Sequence, residues 1–168
     1  EIPMANLEKL KENPKEQLFE HLDDVRAVML GSPVHHQHMQ PMAPQVDKET
    51  GTVWFYTSKS SDLVKALGQD GGEVHLCIVE KDYQACLLGD LTVDHNPQKI
   101  DQFWSSVIAA WFEGDKTDPD LTMLCFRPKN GSIWASDKNP ITFAWEIAKA
   151  NHKDQRPDIG ERTSVDFH

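Results

Sequence analysis

The segment Trp54-Phe55-Tyr56-Thr57-Ser58-Lys59-Ser60-Ser61-Asp62-Leu63 concentrates the groups best suited to receiving an anion. An aromatic strand runs into a turn dense in hydroxyls and then into a helix start. Free backbone N–H groups and several hydroxyls in such a turn form a cradle for a phosphate. The same residues serve equally well as a serine N-cap closing a strand–helix turn. Gln84 is a second candidate, because it interrupts an apolar strand ending at Gly89, and a buried amide must find hydrogen-bond partners or cost about 1–3 kcal/mol. It shares a face with Cys86 and Leu88; a satisfied polar residue at a barrel end is the alternative. His35-His36-Gln37-His38 would send His36 and His38 to one face of a strand, but no third ligand stands at metal-like spacing, so no metal site is expected. Trp54, Trp104, Trp111, Trp134 and Trp145 sit mostly at core-periodic positions, and one or two could present a ring to a planar ligand. Neither a Walker loop, Gly-x-Ser-x-Gly nor Gly-x-Gly-x-x-Gly is present.

The elements that must position these groups follow from periodicity. Asn13-Pro14, Asn96-Pro97 and Asn139-Pro140 each place a capping residue before a proline at the first helical position. Helical spacing follows each one: Leu18, Phe19 and Leu22; then Ile100, Phe103, Trp104, Val107, Ile108, Trp111 and Phe112, on one helix or two stacked short ones; then Phe143, Ala144, Ile147 and Ala148. A shorter helix is predicted from Ser61 to Leu67, ended by Gly68. Strands are predicted at Val25–Leu30, Val53–Thr57, around Val74, Leu76 and Ile78, at Tyr83–Val93, Leu121–Phe126 and Ser132–Ala135. Glu80-Lys81-Asp82 joins two of them as a hairpin. The stretch His36–Val46 carries Pro41 and Pro44, which suits an edge or bulged strand. Six or seven strands with helices inserted between them indicate a mostly antiparallel α+β barrel.

Composition narrows the class. The 168 residues read as one domain over 1–168, closing with a polar tail over 151–168; Glu1-Ile2-Pro3 ahead of Met4, and the terminal His168, read as expression remnants. Acidic residues outnumber basic ones 27 to 17, giving a net charge of −10. Such a chain repels nucleic acid and anionic lipid at long range, so neither is expected as a partner, and a bound phosphate must be held locally against the global field. Apolar runs of about six residues are far too short to span a bilayer. Cys77, Cys86 and Cys125 form no C-x-x-C pair and lie in apolar strand-like runs. That suits buried free thiols in a cytoplasmic protein.

Taken in order, several pieces resemble the general stress protein branch of the pyridoxamine 5′-phosphate oxidase-like, FMN-binding split-barrel family. They are Gln40-Pro41-Met42 followed by Trp54-Phe55-Tyr56-Thr57, Gln84 through Gly89, Ala110-Trp111-Phe112-Glu113-Gly114, Asp118-Pro119-Asp120-Leu121, and Trp134. The resemblance runs from about Asn13 to about Asp137. It implies a split β-barrel homodimer with two flavins at the subunit interface. Gln40, Pro41 and Met42, on to Gln45, would run beside the isoalloxazine ring, and Tyr56 and Thr57 would meet the flavin and its ribityl chain. Ser58 and Lys59 belong to the same turn; Ser61 to Leu63 would lie at the phosphate, and Gln84 would hydrogen-bond the ring or ribityl chain. Trp111 and Trp134 would close the pocket from the partner subunit.

This sequence departs from the family pattern at two cations: Gln40 stands where members commonly carry arginine, and Leu63 where they carry lysine. Each charge-assisted phosphate contact is worth about 1.5–3 kcal/mol, so FMN should be held less firmly unless Lys59, Lys65 or backbone N–H groups substitute, and FAD becomes an alternative ligand. The C-terminal arginine and histidine cluster that holds pyridoxal phosphate in the oxidases is not recognisable; Arg156 and Arg162 stand in an Asp-rich tail instead. The function expected is therefore a flavin-binding, redox-related stress protein without pyridoxamine-phosphate oxidase activity and with no identified catalytic residue. The alternatives are a flavin-dependent oxidoreductase acting on a small substrate, and a dimeric scaffold that has lost its cofactor.

Overall fold

A computed structural model describes residues 6–32, 34, 36–138 and 140–168. In chain order the elements are α1 (Leu7–Glu12), α2 (Pro14–Asp24), β1 (Val28–Gly31), β2 (Gln40–Met42), β3 (Gln45–Asp47), β4 (Thr52–Ser58), α3 (Asp62–Leu67), β5 (Gly72–Val79), β6 (Tyr83–Val93), α4 (Pro97–Phe103), α5 (Ser106–Ala109), β7 (Leu121–Ala135), α6 (Pro140–Lys153) and β8 (Glu161–Asp166). The helix starts form as the Asn-Pro and serine signals require. Asn13 accepts the Glu16 N–H at 3.3 Å, Asn96 the Lys99 N–H at 3.1 Å, and Ser61 the Val64 N–H at 3.3 Å. Gly68 ends α3 at φ +62, a backbone angle that favours glycine. Asn139, the third expected cap, lies outside the described residues.

Every strand pairing is antiparallel, and the sheet runs β2-β1-β5-β6-β7-β4-β3, with β8 added to β7. Its two end strands, β2 and β3, are separated in the chain by only Ala43 and Pro44. A sheet whose opposite edges are joined by two residues has to curl round on itself, which makes this a split barrel. Pro41 and Pro44 remove no interior ladder bond, the first lying in an end strand and the second in the connection. Inside the curl, alternate residues of β5 and β6 (Val74, Leu76, Ile78; Tyr83, Ala85, Leu87, Leu91) pack with Leu18, Leu22, Leu30, Phe55 and Phe126. A second, smaller cluster of Trp54, Ile100, Leu121, Met123 and Cys125 lies outside, covered by Phe103, Trp104 and Phe112. Strand β4 is thus buried on both faces, which is why its aromatic run does not alternate with polar residues.

Five expectations are corrected. Strand β1 begins at Val28, not Val25, because the Val25 N–H closes α2 by donating to the His21 carbonyl at 3.0 Å. The expected strands at 121–126 and 132–135 are one 15-residue strand. It stays continuous because a bulge opposite Leu88/Gly89 absorbs its bend, so its first half pairs β4 and its second half pairs β8. His36–Val46 is not one extended strand: His36 takes φ +53, and the strands are confined to β2 and β3. The polar tail contains β8, whose backbone completes the ladder on β7 whatever its side chains. The apolar stripe from Ile100 takes the second of its two expected forms, two short helices: it breaks at Trp104, and Ser105 starts the next helix by accepting the Ile108 N–H at 3.3 Å. Of the α6 residues expected on an apolar face, Phe143, Ala144 and Ala148 are exposed and Ile147 is half-buried. Among the described residues, no helix is long and apolar enough to cross a membrane.

A candidate ligand cleft beside the fourth strand

Strand β4 emerges from under α4 at Tyr56, and α5 crosses beyond it. Between them lies a cleft of about 490 Å³, within the size range of small-molecule sites. One part of its wall is apolar and aromatic: Pro41, Met42, Ala43, Tyr56, Val107, Ile108, Trp111 and Phe112. The other part is hydroxyl and amide: Gln45, Thr57, Ser58, Ser61 and Ser105. No lysine or arginine is among the lining residues.

The rings are held from behind. Trp104 packs edge-on against Tyr56, centroids 5.8 Å apart, and tilts against Phe112 at 6.3 Å. The Tyr56 hydroxyl donates to the Ile100 carbonyl of α4 at 2.6 Å. Burial, then the charge of Asp101, pushes this phenol up to about 12, so it stays protonated, a hydrogen-bond donor, near neutrality. Nor do two of the thiols offer a nucleophile: burial, then Cys86 opposite it, pushes Cys77 up to about 12, and burial pushes Cys125 up to about 11. Cys125 is buried as expected, whereas Cys77 and Cys86 are only half-buried.

The hydroxyl end is a tightly bonded turn. Ser61 Oγ caps α3 and accepts from Thr57 Oγ1 at 3.4 Å. The Ser60 N–H and hydroxyl both donate to the Asp120 carboxylate, at 3.1 and 2.9 Å, and the Lys59 N–H donates to the Asp120 carbonyl at 2.7 Å. The expected anion cradle therefore already contains a carboxylate of the chain.

Nine of the sequence-predicted residues line this cleft: Pro41, Met42, Ala43, Gln45, Tyr56, Thr57, Ser58, Ser61 and Trp111, the last in the chain's own cleft where the partner subunit's was expected. Gln40, on exposed β2, and Lys59 do not line it. The Leu63 side chain is 2% exposed and belongs to the core, so only its backbone lies at the turn. Gln84 and Trp134 form a separate pair, opposite one another across β6 and β7. The Gln84 amide donates to the Glu80 and Lys81 carbonyls of its own hairpin. The neighbouring Glu80 carboxylate is tied to His21 Nδ1 at 2.7 Å, and His21 stacks on Tyr83 with centroids 3.6 Å apart. Trp134 is 41% exposed, with Arg162 over its ring at 5.4 Å. Ser105, which lines the cleft, was missed as a site residue, and so was the bond by which Asp120 holds the neighbouring Ser60. For Ser105, a serine with capping potential within the apolar stripe was the available signal; for Asp120, whose partner lies sixty residues away, there was none.

Comparison with known proteins places this architecture. The pattern of the family described as pyridoxamine 5′-phosphate oxidase like matches residues 13–158. No curated protein matches the chain. Among solved structures, a candidate general stress protein 26 from Jannaschia sp. CCS1 superposes with a TM-score of 0.78 at 34% identity, over 93% of this chain and 99% of that one. The general stress FMN/FAD binding protein from Xanthomonas citri gives 0.68 at 35% identity, over 77% and 92%. A protein from Clostridium acetobutylicum related to general stress protein 26 gives 0.61 at 21% identity, over 80% and 94%, and shows the same fold. A family pattern running through nearly every element of the curled sheet, with stress proteins of the same build at 34% and 35% identity, has one reading: the chain belongs to the pyridoxamine 5′-phosphate oxidase-like family, in its general stress protein branch.

Proposed function

We propose that this chain binds a flavin in the cleft between β2, β4 and α5 and serves a redox role in a stress response, without oxidising pyridoxamine phosphate. The observation that carries the reading is the division of one wall into rings and hydroxyls: Tyr56, Trp111 and Phe112 on one part, Thr57, Ser58, Ser61 and Ser105 on the other. A flavin is divided in the same way, into a planar aromatic ring and a polyol arm. The relative from Xanthomonas citri is named for FMN and FAD binding, which supports this ligand class. The ring and the polyol fit the residues present; a terminal phosphate finds no lysine or arginine among them.

When bound, a flavin supplies electron transfer at its ring, and the protein's part is binding and orientation. Tyr56, anchored to the Ile100 carbonyl, offers its ring as a fixed surface, while the polyol meets hydroxyls that both donate and accept. Val107 and Trp111, at the lip, are 72% and 80% exposed. An apolar lip of this kind calls for a cover, and a second copy of the chain provides it, bringing its own Gln84–Trp134 pair to the mouth of the cleft.

The test is a titration of the purified chain with FMN and FAD, following flavin fluorescence. Saturable binding with Kd below about 10 µM is expected. If neither flavin saturates the protein by about 100 µM, the reading is wrong.

A further inference from the structure

We propose that Cys77 and Cys86 form a reversible, peroxide-sensitive site on the outer face of the sheet: hydrogen peroxide oxidises the two thiols to a disulfide that bridges β5 and β6. The site stands apart from the cleft, whose lining includes neither cysteine, and it does not rest on the flavin reading.

Strand register supplies the geometry. The two cysteines lie directly opposite one another in the β5–β6 hairpin. In an antiparallel ladder, opposed residues alternate between pairs that exchange backbone hydrogen bonds and pairs that do not. The Glu80 N–H donates to the Tyr83 carbonyl at 3.0 Å, so these two residues are a pair of the first kind. Counting back along the hairpin, Val79 with Gln84 is of the second kind, Ile78 with Ala85 of the first, and Cys77 with Cys86 of the second. Residues paired without backbone bonds have Cα atoms about 4.5 Å apart and the closest side chains. That separation falls inside the span of disulfides, roughly 4.4–6.8 Å. A slip of one residue in either strand would have sent the two thiols to opposite faces.

The pair also lies on the face that the core does not use. Its sequence neighbours Leu76, Ile78, Ala85 and Leu87 point inward and are buried. Cys77 and Cys86 are half-buried, whereas Cys125 is sealed in the smaller apolar cluster. Hydrogen peroxide is small enough to reach a half-buried sulfur.

The two thiols have different parts. Burial, then the Cys86 sulfur, keeps Cys77 protonated near neutrality, so the reaction opens at Cys86. The Cys86 thiolate attacks one peroxide oxygen and the O–O bond breaks. Cys86 becomes a sulfenic acid, and the hydroxide that leaves is neutralised by the proton Cys86 gave up. The Cys77 sulfur then attacks the Cys86 sulfur. An S–S bond forms, the S–O bond breaks, and the departing hydroxide takes the Cys77 proton. Two thiols and one peroxide thus give one disulfide and two waters; the sulfurs lose the two electrons that the peroxide gains. A second thiol held opposite the sulfenic acid favours this condensation over further oxidation to sulfinic acid.

The experiment treats the folded chain with hydrogen peroxide near neutrality, quenches with catalase, and alkylates with N-ethylmaleimide under denaturing conditions. Alkylated cysteines are counted and located by peptide mass spectrometry. Whole-chain mass would not serve, because Met29, opposite Cys77 and 37% exposed, is oxidisable as well. The expected result is a fall from three alkylated cysteines to one, Cys125, with a Cys77–Cys86 cross-linked peptide that dithiothreitol abolishes. In Cys77→Ser, dimedone should trap Cys86 as the sulfenic acid. In Cys86→Ser, Cys77 should be lost at least about tenfold more slowly than in the wild type. Three alkylated cysteines after treatment overturn the proposal. So does a bridge that joins two chains or engages Cys125, and so does Cys86 carried to sulfinic acid without a bridge. Should either variant fail to fold, as thermal unfolding will show, the wild-type peptide map decides alone.

Discussion

Replacing Tyr56 by phenylalanine separates the two faces of the residue on which the cleft is built. The ring lines the cleft, but the hydroxyl is spent on the backbone of α4, donating to the Ile100 carbonyl at 2.6 Å. Tyr56→Phe removes the donor and leaves that carbonyl without this partner, a loss of about 1–2 kcal/mol. For a chain of this size each kcal/mol moves the melting temperature by about 2–4 °C. The ring stays, so flavin affinity should change by less than about twofold. The assay pairs urea unfolding at constant m-value with flavin titration on the same preparation. The pH dependence supplies a second check. The folded phenol is raised to about 12, first by burial and then by Asp101, above the unfolded value of about 10. Its contribution is therefore complete below about pH 10 and is lost as pH rises through about 12. The gap in stability between wild type and variant should close over that window; Tyr83, raised in the same direction, is present in both proteins and cancels. A tenfold loss of flavin affinity with an unchanged unfolding midpoint would show that the hydroxyl faces the ligand, and the cleft as described would be refuted.

Three further outcomes are expected. Gly89→Ala, at the bulge, would put a Cβ 2.5 Å from the Arg127 carbonyl and 2.6 Å from the Phe126 ring; a loss of at least about 1–3 kcal/mol in chemical unfolding follows, and a neutral result would show that the bulge yields. Lys99→Met leaves Asp47, a buried carboxylate, without its ion pair, which should cost about 3–5 kcal/mol at pH 7. Asp47 is held below the usual carboxylate range, chiefly by the Lys99 hydrogen bond with burial opposing, so its contribution is present above about pH 4 and lost as pH falls through the depressed folded value; the difference between wild type and variant should shrink in acid, and a constant difference would count against the pair. Trp111→Ala should leave the unfolding midpoint within about 0.5 kcal/mol, since the side chain is 80% exposed, yet weaken both flavin binding and self-association in sedimentation; an unaffected dimer with unaffected binding would remove Trp111 from the site.

The local features of this protein were legible in its residues because their causes are local. Asn13, Asn96 and Ser61 cap the helices that follow them through contacts three residues away. The alternation from Val74 to Val93 reports one buried face of a hairpin, and that hairpin forms with Val79 opposite Gln84. Part of the cleft wall was legible too: the hydroxyl turn after Tyr56 from its residue types, and Pro41 and Met42 only through the family resemblance. Boundaries were less so: the helix-to-strand junction at Val25 depends on which acceptor its N–H finds.

What only the tertiary structure decided is how distant segments meet. Two apolar runs became the single strand β7 because a bulge opposite Leu88/Gly89 lets it follow β6 along its whole length while bending between β4 and β8. The polar tail became β8 because backbone groups on the edge of β7 pair regardless of side-chain polarity. Asp120 met Ser60, and Lys99 met Asp47. Periodicity registers only neighbours within a turn or a pleat. Contacts across fifty or sixty residues are set by strand register and sheet curl, and those belong to the assembled barrel.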